Sequence, residues 1–167
     1  MSTLLEKPIS VNRIIATSID HAKAIEDPAR AKIVQMLYNR NLNAEQITLQ
    51  LRKQGHKKAL TTIRHHLDIL KESGLIEIVR IEESRGAIVK FYGTSTKLLD
   101  YETPKDFDQK YSSLIKSTST KLEKIVNTMS KKTGKTSKSG NKREFNQYIM
   151  MEIVNRAMTN VLEANLK

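Results

Sequence analysis

Apolar positions fall into steps of three and four in three stretches of the chain. Near the N-terminus, Val11, Ile15, Ser18, Ala22 and Ile25 line one stripe, with Ser10 placed to cap it. Further on, Tyr111, Ile115, Thr118, Leu122, Ile125 and Met129 form a second, widened by Leu114 and Val126. Toward the C-terminus, Met150, Val154, Ala157, Val161 and Ala164 repeat the spacing, while Tyr148, Met151, Met158 and Leu162 broaden the apolar face. Each pattern predicts an amphipathic helix. Together they present more apolar surface than the short middle region needs for its own cover, and a helix-mediated homodimer is the simplest way to bury it.

The middle region has a different punctuation. Asp27-Pro28 opens a helix, the carboxylate accepting from free backbone amides and the proline sacrificing no hydrogen bond at the first position. Ile33, Met36 and Leu37 supply its buried side. Asn43 with Gln46 has the spacing of a capping box for a second helix carrying Ile47 and Leu51, which ends at Gln54-Gly55. A third helix follows the basic loop His56-Lys57-Lys58, burying Ile63, Leu67 and Leu70 and stopping at Gly74. From Leu75 the period becomes two, and Glu83-Ser84-Arg85-Gly86 supplies a turn before Ala87 to Tyr92 resumes as a strand. Three helices and a hairpin make a winged helix-turn-helix pattern. The fold class expected is mainly α with a small β-hairpin wing, flanked by N- and C-terminal dimerisation helices.

Charge sharpens this division. Lys and Arg total 29 against 18 Asp and Glu, a net +11 that suits a polyanionic partner. The excess sits in two places: residues 28–96 carry twelve basic and six acidic groups (+6), and residues 131–143 carry six and none (+6). The second stretch holds Gly134 and Gly140 and no large apolar residue, as a flexible basic linker would. It serves either as a solvated tether or as an electrostatic arm on flanking DNA. The expected organisation is an N-terminal amphipathic helix (1–26), a DNA-binding domain (27–96), an amphipathic helix (97–130), the linker (131–143) and a C-terminal apolar helix (144–167). The absence of Cys removes disulfides, thiolate metal sites and cysteine nucleophiles. With no Trp, three Phe and five Tyr, aromatic platforms for stacking single-stranded bases are scarce. No apolar run reaches membrane-spanning length and no leader is evident, so a soluble, cytoplasmic protein without membrane contact is expected.

Pro28-Ala29-Arg30-Ala31-Lys32-Ile33-Val34, the run from Thr62 through His65-His66-Leu67 to Gly74-Leu75-Ile76, and the Arg-Gly hairpin ending in Phe91-Tyr92 resemble the ArsR-type winged helix repressors, especially their archaeal-style members. The resemblance covers residues 27–96. It implies a recognition helix at about 60–73, a wing at about 76–93, flanking dimer helices and double-stranded DNA as partner. The metal sites of such sensors do not carry over, since there is no Cys and no His follows His66. The stretch from Leu51 to Ile63 is longer than in compact metal sensors, which makes the turn an extended loop.

Thr61, Thr62, Arg64 and His65 lie opposite the Ile63, Leu67 and Leu70 stripe, where a major-groove helix presents donors to base edges; the plainer reading is a solvated face. Lys57, Lys58 and Lys71 surround them as phosphate anchors. Arg85 at the hairpin tip either enters a minor groove or only solubilises the turn, with Glu82 and Glu83 weakening its field. His66 borders the apolar stripe and reads as a hydrogen-bonded, partly buried structural histidine. Adjacent residues on a helix diverge by about 100°, so His65 and His66 cannot converge on one ion, and neither a catalytic site, a metal site nor a nucleotide cofactor is expected. The function expected is a homodimeric, sequence-specific transcription regulator. Its rivals are a protein-interaction module of a larger complex and a nonspecific DNA-coating architectural protein.

Overall fold

A computed structural model describes residues 15–84, 86–133 and 142–164. The described residues divide into two compact units, Thr17–Glu102 and one from Thr103 onward.

The first unit holds the expected helices and hairpin. α1 (Ile19–Ile25) is capped by Ser18, whose side chain accepts from the His21 N–H. Ser10 and Val11 lie outside the described residues. Within them the N-terminal stripe is phased differently from the sequence expectation: Ile15 precedes the helix, Ser18 is its cap, and Ala24 is the position that α1 buries in the core. α2 (Pro28–Leu37) begins as predicted, with the Asp27 side chain accepting from the Ala29 and Arg30 N–H groups. The Arg30 guanidinium reaches back to the carbonyls of Ala24 and Lys23, tying α2 to the end of α1.

A short strand absent from the sequence expectation, β1 (Leu42–Asn43), precedes α3 (Ala44–Lys53). The Asn43–Gln46 capping box is formed in both directions, at 2.9 and 3.0 Å. α4 (Leu60–Glu72) ends at Ser73, and Gly74 takes φ +77°, a left-handed conformation that glycine adopts without steric cost. The wing is β2 (Glu77–Ser84) paired antiparallel with β3 (Ala87–Gly93); β1 adds to the other edge of β3, giving the order β1-β3-β2. A bulge between Ile78 and Arg80 interrupts the simple alternation, leaving Val79 and Ile81 exposed while Ile78 packs against the core. Ile33, Val34, Leu37, Ile47, Leu51, Ile63, Leu67 and Leu70 form the centre of that core, each shut from solvent. Four helices and one face of the sheet thus share one largely aliphatic interior, which fixes the outward face of α4.

The second unit pairs α5 (Phe107–Thr133) with α6 (Lys142–Ala164). Phe107 and Tyr111 stack obliquely at 4.9 Å, and the Ser130 hydroxyl meets the Met150 sulfur at 3.5 Å. Helix continues to Thr133 and resumes at Lys142, so Lys131 to Thr133 and Lys142-Arg143 of the expected linker are helical; residues 134–141 lie outside the described residues. Leu114, Ile115, Ile125, Tyr148, Met158, Val161 and Leu162 remain exposed although the two helices pack together.

Candidate nucleic-acid interface

Just beyond α3 and its cap Gln54, Gly55 takes φ +87° and the His56 N–H donates to the Leu51 carbonyl, which swings the chain away from the helix axis. The loop from His56 to Ala59 then delivers Lys57 and Lys58, both exposed, to the N-terminal end of α4. Ala59 caps that helix without a side-chain hydrogen bond. Burial of Ile63, Leu67 and Leu70 forces Thr61, Arg64 and His65 outward, and all three are exposed beside the two lysines.

The remaining expected residues are placed differently. Thr62 is half-buried. Lys71 stands nearly two turns beyond Arg64 along α4 and pairs with Asp68 at 3.7 Å across an exposed face, a contact of small energetic weight that nonetheless neutralises part of its charge. Arg85 lies outside the described residues.

Between α4, the start of α3 and the wing runs a groove of about 600 Å³. Arg64 and Lys90 line it, but so do Glu45, Asp68 and Glu82, so the groove is of mixed sign and the net positive surface is the N-terminal end of α4. Two wing residues escaped the sequence reading. Lys90 stands opposite Ile81, and Arg80 lies 3.9 Å over the Phe91 ring while pairing with Glu82 at 3.2 Å. Only the strand register and its bulge bring these groups together.

His66 is buried as expected at 6% exposure, but among the described residues neither ring nitrogen has a hydrogen-bond partner. Burial holds the imidazole below its usual range near 6.5; the Asp27 carboxylate pulls the other way, and Arg30, Lys58 and His65 add to the lowering. Asp27 itself is raised by burial, yet the amides of Ala29 and Arg30, together with His66 and Arg30, leave its carboxyl below the usual carboxylate value. Tyr92 is held above its ordinary value by burial and by Asp68, against Arg64. Because folding favours neutral His66, the unfolded chain takes up its proton at higher pH. The stabilisation is therefore present above about 6.5 and lost as pH falls below it, with a slope of at most about 1.4 kcal/mol per pH unit for one proton. Thermal unfolding between pH 7.5 and 5 should show the wild type losing stability more steeply than His66→Leu; parallel curves would remove His66 from the acid response.

Among the described residues no His, Cys, Asp and Glu cluster could hold a metal ion, and no helix is long and apolar enough to cross a membrane. No curated protein matches the chain. A family model described as bacterial regulatory protein, arsR family, matches residues 27–77, from the Asp27 cap through α2, α3 and α4 to the first residue of β2. That segment is similar to the helix-turn-helix of the arsR family, a family of DNA-binding transcription regulators.

Proposed function

We propose that the protein is a sequence-specific, double-stranded DNA-binding transcription regulator that acts as a homodimer in the cytoplasm and is not an enzyme. The observation that carries this reading is the cluster of Thr61, Arg64 and His65 with Lys57 and Lys58 on the one face of α4 that the core leaves free, inside an arsR-family segment. Arg64 and His65 address base edges, the lysines meet phosphates, and Thr62, Lys71 and Arg85 border the footprint. Residues 27–96 form the DNA-binding domain in this proposal. The N-terminal stretch 1–26, the helix within 97–130 and the C-terminal helix within 144–167 form the dimer, with 131–143 as the link between the last two.

Selection from a random duplex pool tests specificity: one enriched motif is expected, and a pool that stays random favours the architectural rival. No retention of duplex DNA at low salt would leave the interaction-module reading. The apolar residues that α5 and α6 expose support the dimer. Light scattering in moderate salt should give twice the 19.0 kDa chain mass, and removal of residues 144–167 should leave a folded but poorly dimeric protein. A monomer at micromolar concentration would end the dimer reading.

A further inference from the structure

The long helix α5 carries a second kind of stripe. Lys110, Ser113, Ser117, Lys121, Lys124 and Lys131 follow one another in steps of three and four, apart from one double step filled by Thr128, so they form a single ridge along the helix. All are exposed. The Thr128 hydroxyl donates to the Lys124 carbonyl, turning inward and leaving the lysines outermost. The acidic residues of α5, Asp108 and Glu123, fall on the opposite side of the helix at 100° per residue, and no ion pair to another described residue neutralises the four lysines. The apolar stripe of Tyr111, Ile115, Leu122, Ile125 and Met129 runs beside the ridge rather than through it.

A ridge made only of Lys, Ser and Thr offers cationic and hydroxyl donors without a single carboxylate, the donor set that contacts phosphate oxygens. From Lys110 to Lys131 it extends about 31 Å at 1.5 Å per residue, close to one turn of duplex DNA at about 34 Å. We propose that this ridge of α5 is a second nucleic-acid surface, set along duplex DNA and meeting its phosphates independently of base sequence. It rests on the DNA-binding reading above but not on sequence specificity, because contacts of this kind form on any duplex.

The test uses the full chain and a duplex of arbitrary sequence, with affinity followed by fluorescence anisotropy between low and moderate salt. In the quadruple variant K110Q/K121Q/K124Q/K131Q, glutamine keeps the polarity and nearly the helix propensity of lysine on a side chain one atom shorter, and removes its charge. The log-log salt slope should fall by about 0.9 for each lysine seated on a phosphate. The corresponding Lys→Arg variant should keep the wild-type slope. A glutamine variant with an unchanged slope overturns the ridge. So does a variant that keeps its DNA slope but loses binding to phosphatidylserine vesicles, which would assign the lysines to an anionic membrane surface. A wild type that binds arbitrary duplex with the expected slope but selects no motif strikes the regulator reading and leaves the ridge standing.

Discussion

Leu67→Ala is expected to lower the unfolding free energy by about 2–5 kcal/mol, measured by urea denaturation at fixed protein concentration. Leu67 has no solvent exposure and belongs to the cluster that joins α2, α3, α4 and the sheet. Removing its branched end deletes apolar burial and leaves a cavity in a small interior whose other members, Ile33, Leu37 and Ile63 among them, are themselves enclosed. A domain with about 5–15 kcal/mol of total stability loses a large part of it in this way. DNA binding should fail as the folded fraction falls, and lowering the temperature should restore it. A cost below about 1 kcal/mol would mean that the core does not close on this side chain. Leu122→Ala gives the contrast: Leu122 is 38% exposed on α5, so its loss should act on self-association more than on unfolding of the winged unit.

The elements legible in the sequence are those whose cause is local. Asp27 before Pro28, Asn43 three residues before Gln46, and Gly74 after an apolar helical run each solve a backbone problem with side chains a few positions away. β1 was illegible for the opposite reason. Two residues carry no periodicity, and Leu42 and Asn43 become a strand only because Tyr92 and Phe91 return beside them at the far end of the domain. The bulge between Ile78 and Arg80, and with it the stacking of Arg80 on Phe91, depends on cross-strand register in the same way. Within the candidate site, the outward placement of Arg64 and His65 was readable because it is the complement of the Ile63, Leu67 and Leu70 stripe. Pairing of Lys71 with Asp68 follows from their three-residue separation and weakens an anchor that composition alone counts in full. That the nitrogens of His66 meet no partner among the described residues was not readable, since whether a buried ring meets one depends on the helices packed around it.

Arg64→Ala is expected to weaken binding to the preferred site by about 1–3 kcal/mol, a loss of roughly 5- to 150-fold, and to weaken binding to random duplex much less. Arg64 is exposed on α4 one residue after buried Ile63, so truncation removes the guanidinium without opening the core. Its planar fork matches two acceptors on a guanine edge, whereas a lysine ammonium meets phosphate as a point charge. Lys58, in the loop that leads into α4, supplies the comparison: Lys58→Ala should lower affinity for specific and random duplex alike and leave the preferred sequence unchanged. Competition assays at one fixed salt concentration separate the two, because salt shifts every phosphate contact and hides a base contact beneath it. Equal losses for Arg64→Ala on both duplexes would make Arg64 a phosphate clamp and move base reading to His65 or the wing. No loss on either would remove the N-terminal end of α4 from the interface.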